Sequence, residues 1–323
     1  MSRRFFFPKK LGVALAALLF SALLCSCGTG EGGAPVKGPG PPAPPEAARH
    51  PETLGEPVAR RTDFQIPASV VLCGESLPLD RPAVRERLEY EFLLAVNHPA
   101  QVELWRRRAL RFFPLIEKTL AEAGLPDDLK YLAVAESDLR PLVVSPAGAS
   151  GLWQFIPSTA RAFGLKVGKE QDQRLLPELL LPAGVKYLSS LHKAFGGWAL
   201  AMAAYNAGEA RISGALSSQK GRDYYELNLP RETERYVYRI AAIKLVLEGA
   251  PLFGFNAAPP AGLYRPPRYR EETVNFAEAV SWTELAERYK TDYRTLKVLN
   301  PHLASRGRLS GGPYLFRLPA EGI

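Results

Sequence analysis

Apolar side chains recur at helical spacing throughout residues 85–250, and alternating β-branched runs are absent there. Three stripes are the clearest: Phe112, Leu115, Ile116 and Leu120; Val185, Leu188, Leu191 and Phe195; and Tyr236, Ile240, Ile243 and Leu247. The second stripe is expected to belong to a helix with Pro182 in its first turn, where a missing N–H leaves no hydrogen bond unmade. The pattern predicts an all-helical domain.

One stripe carries a carboxyl group. Leu129 and Leu132 precede Glu136 at helical spacing, so Glu136 is aimed at the interior. Burial disfavours the charged form of a carboxyl and raises its pKa, which suits a general acid near neutral pH. Arg140 and Pro141 are expected to end this helix, which would leave Glu136 in its last turn. The pattern alone also allows a structural glutamate paired with an arginine or a backbone amide.

Four short blocks follow one another along the chain. They are Glu-Ser at 136–137, Gly-Leu-Trp-Gln-Phe at 151–155, Ala-Tyr-Asn-Ala-Gly at 204–208 and Glu-Thr-x-x-Tyr-Val at 232–237. In this order they resemble the family 1 lytic transglycosylases, in particular the membrane-bound type D branch, over roughly residues 100–250. The resemblance implies a lysozyme-like helical domain that acts on peptidoglycan glycan strands without a cofactor.

The resemblance also implies roles for single residues. Glu136 would be the catalytic acid, with Tyr236 directed toward its carboxyl. The implied substrate-binding residues are Ser137, Gly151, Gln154, Tyr205, Asn206 and Tyr236. Ser137 would orient the glycan or the acid, and the backbone of Gly151 would come close to the sugar. Taken singly, the tyrosines could equally be core residues, and Asn206 could cap a helix.

The reaction mechanism depends on how many carboxylates are available. Glycoside hydrolysis ordinarily uses two. Asp138 is expected on another helix face, and Asp172 is the main rival for a position opposite Glu136. The resemblance implies that Glu136 acts alone, as acid and then as base, and forms a 1,6-anhydro ring on N-acetylmuramic acid. A hydrolytic muramidase and a peptidoglycan-binding lipoprotein without turnover are the alternatives.

Residues 1–27 have the pattern of a bacterial lipoprotein signal. A basic start precedes the apolar residues 11–24, a segment too short for a comfortable membrane span. Leu24-Cys25-Ser26-Cys27 resembles a lipobox and indicates lipidation at Cys27, although an ordinary signal peptide is the alternative. Gly28 favours the periplasmic face of the outer membrane over the inner membrane or secretion. The Pro- and Gly-rich residues 28–62 predict a tether to the domain at 63–255.

Other chemistries find little support. The four histidines are far apart and lack metal-ligand spacing, so we expect no metal site. Leu152 stands where a Gly-x-Ser-x-Gly nucleophile motif starting at Gly148 needs its second glycine. The net charge of +8 is modest, and no nucleic-acid module is recognisable. With Cys27 acylated and Cys25 removed, Cys73 has no disulfide partner and is expected to be a buried apolar residue.

The last segment predicts a small separate module. After a linker at 256–271, residues 272–323 contain the order strand, helix, helix, strand. Trp282-Thr283-Glu284-Leu285-Ala286 and the Asn-Pro at 300–301 make it similar to a LysM module. The Gly-Asp turn expected after the first strand is replaced by residues 277–280. The module could therefore equally bind glycan or form a structural cap on the expected catalytic domain.

Overall fold

The computed structural model describes residues 64–255, 264, 267–303 and 307–320. The predicted signal segment, the acylation of Cys27 and the tether at 28–62 lie outside the described residues. Within the described ranges, no helix combines the length and apolar character needed to cross a membrane.

The region before the C-terminal module is built mainly of helices. A short hairpin of β1 (Val71–Leu72) and β2 (Glu75–Ser76) comes first. The α-helices that follow are α1 (Pro82–Val96), α2 (Pro99–Glu122), α3 (Lys130–Ser137), α4 (Pro157–Ala162), α5 (Pro177–Phe195), α6 (Trp198–Ala207), α7 (Glu209–Gln219) and α8 (Arg231–Glu248). The predicted helical class is confirmed.

Proline marks the start of several helices, but the prediction for Pro182 was wrong. Helix α5 begins at Pro177, and Pro182 lies inside it. A proline at this point removes one backbone donor. The helix continues nevertheless because its neighbours Leu180, Leu181 and Val185 are buried in the core, and this packing outweighs the missing hydrogen bond.

The core is centred on α8 and on the loop before α4. Helix α8 packs against α1, α3 and α6. Residues 148–155, here called the Trp153 loop, place the indole of Trp153 fully inside. A Cβ at Gly184 of α5 would lie 1.8 Å from the Cε3 atom of Trp153. The loop is thus anchored in the core by a close approach that only glycine allows.

The C-terminal module has the predicted strand, helix, helix, strand order. It consists of β3 (Tyr269–Ser281), α9 (Trp282–Arg288), α10 (Tyr293–Leu299) and β4 (Arg308–Pro319), and its two strands pair antiparallel. Strand β3 begins inside the segment predicted as the linker. Apolar residues including Trp282 and Phe316 form a core separate from that of the helices. The predicted α+β fold class of this small module is confirmed, and its identity as a LysM module stays a prediction.

Candidate active site

Glu136 lies in the last turn of α3. Leu129 and Leu132, which precede it on the stripe, are fully buried, and the Glu136 side chain emerges at a cleft of about 390 Å³. The helix ends earlier than expected, because Asp138 (φ 53°) and Leu139 (φ 57°) adopt left-handed backbone conformations. The local turn therefore ends α3 before Arg140 is reached.

Burial raises the pKa of Glu136 to about 7. Two groups oppose this shift: the hydroxyl of Tyr236, which donates a hydrogen bond to Oε1 of Glu136, and the positive charge of Arg239. The negative charge of Glu232 adds to the increase. Burial and the charge of Glu136 hold the pKa of Tyr236 well above its usual range, so its hydroxyl remains a hydrogen-bond donor. Near neutral pH, Glu136 therefore exists in both protonation states.

Two other carboxylates line the same cleft, and both have partners. Glu91 is buried and forms an ion pair with Arg235. Asp138 accepts a hydrogen bond of 2.9 Å from Nε1 of Trp105. The expectation that Asp138 points elsewhere was wrong, because α3 ends before it. Among the described residues, no basic group forms an ion pair with Glu136, which is therefore the cleft carboxyl available for proton transfer.

The Trp153 loop contains two of the predicted substrate-binding residues. Gly151 is buried with φ +84°, and a Cβ there would lie 2.1 Å from the carbonyl oxygen of Arg174. The side-chain amide of Gln154 donates to the carbonyl oxygen of Gly151 at 2.9 Å and to that of Val143 at 3.2 Å. In this structure both residues act within the loop, and both maintain its shape.

The hydroxyl of Ser137 also forms hydrogen bonds within the protein. Its side chain is buried, and its hydroxyl lies 2.9 Å from the carbonyl oxygen of Leu152 and 3.0 Å from that of Ala133. One hydroxyl hydrogen is shared between the two acceptors. The contact joins the end of α3, next to Glu136, to the Trp153 loop.

Tyr205 and Asn206 lie at the end of α6. The hydroxyl of Tyr205 donates to the carbonyl oxygen of Trp153 at 2.5 Å, and its pKa is raised by burial and by the charge of Glu136. Asn206 accepts a hydrogen bond of 2.8 Å from the hydroxyl of Thr233 on α8. The structure thus brings Glu136, Tyr205 and Tyr236 together, with Asn206 joined to the helix that carries Tyr236.

Arg174 is a residue that the sequence pattern did not single out. It is buried, and its Nη1 donates to the carbonyl oxygens of Gly148 at 2.6 Å and Phe155 at 2.7 Å. Asp172, proposed as a rival catalytic carboxylate, instead forms a two-point ion pair with Arg174, at 2.9 and 2.6 Å. The sequence gives no signal for the hydrogen bonds from Arg174 to Gly148 and Phe155, since these partners lie 26 and 19 residues away.

Metal and thiol chemistry find no site in the described ranges. Within those residues, no group of three or more His, Cys, Asp and Glu side chains could hold a metal ion. The Cys73 thiol is buried, and burial raises its pKa far above the usual value, which leaves it unreactive.

Comparison with known proteins agrees with the resemblance predicted from the motif blocks, and the matched family model includes the first three of them. The transglycosylase SLT domain model matches residues 113–228. Membrane-bound lytic murein transglycosylase D of Escherichia coli (strain K12) is 35% identical over 152 residues, which are 46% of this chain and 34% of that protein. The soluble lytic murein transglycosylase of the same strain is 38% identical over 139 residues, 40% of this chain and 22% of that protein.

Among solved structures, the 70 kDa soluble lytic transglycosylase from Escherichia coli aligns at 26% identity and a TM-score of 0.40, covering 52% of this chain and 29% of that one. The present chain spans about a third of the length of the first curated relative. The match of residues 113–228 to the transglycosylase SLT domain model and the similarity to these murein transglycosylases agree with the predicted resemblance to the family 1 lytic transglycosylases.

Proposed function

We propose that this protein is a lytic transglycosylase that cleaves peptidoglycan between N-acetylmuramic acid and N-acetylglucosamine and leaves 1,6-anhydro-N-acetylmuramic acid ends. The observation that carries the proposal is the state of Glu136. Its pKa of about 7 leaves a proton available at neutral pH, and the other cleft carboxylates, Glu91 and Asp138, already have partners. The SLT domain and its murein transglycosylase relatives support peptidoglycan as the substrate.

In the first step, the protonated carboxyl of Glu136 gives its proton to the oxygen that links the two sugars. The bond between this oxygen and C1 of N-acetylmuramic acid then breaks, and the positive charge that develops at C1 and the ring oxygen is an oxocarbenium-like state. A carboxyl with a pKa near the working pH is the best compromise between carrying the proton and releasing it. Tyr236 holds Oε1 of Glu136 by its hydrogen bond, which leaves the other oxygen to face the substrate.

In the second step, Glu136 is a carboxylate and removes the proton from the 6-hydroxyl of the same muramoyl residue. The 6-oxygen attacks C1 and closes the anhydro ring, so no water is consumed and Glu136 regains its proton. The nucleophile belongs to the substrate and is already close to C1, which replaces a bimolecular attack with an intramolecular one. A second carboxylate is therefore unnecessary.

The remaining motif residues divide into two groups in this proposal. Tyr205 and Asn206 would face the sugar, and the amide nitrogen of Asn206 would donate to the glycan, since its oxygen accepts from Thr233. Ser137, Gly151 and Gln154 shape the Trp153 loop, along which the strand would bind.

We further propose a location in the cell envelope, with a lipid anchor at Cys27 on the periplasmic face of the outer membrane. The membrane-bound relatives support an envelope location. Radiolabelled palmitate incorporation that is lost in Cys27→Ser would test the anchor. Incorporation that persists in this variant would contradict it.

Digestion of purified peptidoglycan, followed by mass spectrometry of the muropeptides, tests the reaction. Products lighter than their hydrolysed counterparts by one water, and absent with Glu136→Gln, are expected. Reducing-end products would mean that water attacks and that the protein is a muramidase. Wild-type protein that binds peptidoglycan without releasing fragments would favour the non-catalytic lipoprotein.

A further inference from the structure

The C-terminal module contacts the catalytic region at residues 171–178, here called the docking segment. The backbone N–H of Asp172 donates to the carbonyl oxygen of His302 at 2.7 Å, and Gln171 pairs with Leu303 as an isolated antiparallel bridge. His302 and Leu303 are buried. The turn after α10 therefore adds backbone pairing to the catalytic region at the start of the docking segment.

An ion pair between a buried arginine and a partly exposed glutamate holds the other end of the same segment. Arg317 of β4 is buried, and its Nη2 lies 2.8 Å from Oε2 of Glu178, in the first turn of α5. Its Nε donates to Glu271 at 2.8 Å, and its guanidinium lies 4.3 Å from the centre of the Tyr269 ring. The hydroxyl of Tyr269 in turn donates to Oε1 of Glu178 at 3.0 Å. Because Arg317 is buried, removing Glu178 would leave its charge compensated by Glu271 alone and would weaken the contact with the docking segment.

The docking segment supports the Trp153 loop. Asp172, held from outside by His302, binds the guanidinium of Arg174, and Arg174 donates to the carbonyl oxygens of Gly148 and Phe155 at the two ends of the loop. The carbonyl of Arg174 also lies against Gly151, at a distance that excludes a Cβ. A shift of Asp172 would therefore move both ends of the loop.

The Trp153 loop in turn touches the reacting centre. The carbonyl oxygen of Trp153 accepts from Tyr205, and that of Leu152 accepts from Ser137, the neighbour of Glu136. A series of hydrogen bonds, joined by the backbone of the Trp153 loop, thus leads from the C-terminal module to the residues beside Glu136. Networks of this kind fix geometry, and a displacement of about 1 Å at a catalytic centre can lower the rate a hundredfold.

We propose that the docked C-terminal module is a positioning element of the active site: Arg317 and the His302 turn hold the docking segment, and Arg174 transmits this constraint to the Trp153 loop. The turn at 300–303 is used for docking in this arrangement. The proposal rests on the proposed function only for its kinetic readout, because the constraint on the loop can be measured without substrate.

The test uses the full chain with Glu178→Lys, which places two positive charges against each other, and Glu178→Gln, which removes the charge while keeping the size. The matched control is Glu122→Lys, the same change at an exposed position on α2. Hydrogen–deuterium exchange is followed in peptides covering residues 145–156 and 166–175. These peptides contain the amides of Ser150, which donates to Phe155, and of Asp172.

Both Glu178 variants are expected to exchange roughly tenfold faster than wild type in both peptides. Their kcat should fall by roughly ten- to a hundredfold with little change in KM, because the loop positions the reacting groups. The Glu122 variant should match wild type in every readout. If Glu178→Lys fails to fold, Glu178→Gln alone tests the proposal.

Two results would overturn the proposal. Faster exchange at 166–175 with unchanged exchange at 145–156 and unchanged kcat would make the module a passive cap. Unchanged exchange in both peptides would show that the ion pair does not hold the segment. Wild-type protein without turnover would contradict the proposed function, and the exchange data would then judge the positioning proposal by themselves.

Discussion

Replacing Glu136 by glutamine should make the protein more stable, and increasingly so as the pH rises. The pKa of this carboxyl goes from 4.5 to about 7 on folding, a difference of about 2.5. At about 1.36 kcal/mol for each pKa unit, the folded state loses about 3 kcal/mol of stability on full ionisation of this group. Because the folded pKa is the higher one, the contribution of Glu136 is fully present below pH 4.5 and is lost as the pH rises through 7.

Glutamine has nearly the same shape, stays neutral and can still accept the hydrogen bond from Tyr236. The free energy of unfolding of Glu136→Gln, measured by urea denaturation relative to wild type, should therefore grow by about 2.5 kcal/mol between about pH 5 and about pH 8. The control Glu122→Gln makes the same change at an exposed position and reports the general effect of removing one charge. A difference between Glu136→Gln and wild type that is the same at both pH values would refute the buried-acid assignment.

Three further predictions follow from the geometry. Tyr236→Phe removes a hydrogen bond that lowers the pKa of Glu136, so the alkaline limb of the kcat/KM profile should move to higher pH; an unchanged limb would contradict this. Gly184→Ala should destabilise the protein by about 1–3 kcal/mol in thermal unfolding, because the new methyl group would overlap the indole ring of Trp153. Gly214→Ala, in open space on a helix, should stabilise the protein by about 0.5–1 kcal/mol. Equal effects of the two substitutions would contradict the packing argument. Burial lowers the pKa of His302 from 6.5 to about 4, so the docked module should lose stability as the pH falls from 6.5 toward 4. This loss should be seen as faster amide exchange at residues 166–175. His302→Gln should remove the pH dependence, and a pH dependence that persists in this variant would exclude His302 as the cause.

The features that were predictable from the sequence depend on local periodicity. The burial of Leu129 and Leu132 and the position of Glu136 on the same stripe follow from spacing alone, because a helix repeats every 3.6 residues. The pattern could not show where α3 ends. That point depends on the left-handed backbone of Asp138, and neither Arg140 nor Pro141 determines it.

The support of the loop could not be predicted, because it depends on contacts between residues distant in the chain. Gly151 is flanked by small residues and suggests close approach of a ligand, yet the group that approaches it is the carbonyl of Arg174. Asp172 is a carboxylate of suitable type for catalysis, and only the fold reveals that Arg174 occupies it. A local sequence pattern shows which side chains are present, whereas the tertiary structure determines which groups they contact.

The charges of the cleft explain how a single acid can keep its proton there. Arg235 and Arg239 lie on the same helix as Tyr236 and line the same cleft as Glu136, and a guanidinium paired with Glu136 would lower its pKa and remove the proton needed for the first step. Glu91 prevents this by binding Arg235 directly and by lying 3.9 Å from Nε of Arg239. Arg239 still acts on Glu136 through its charge, but burial outweighs it and the pKa stays near 7. In the proposed reaction, Glu91 would therefore act without touching the substrate, by holding the two arginines away from the acid.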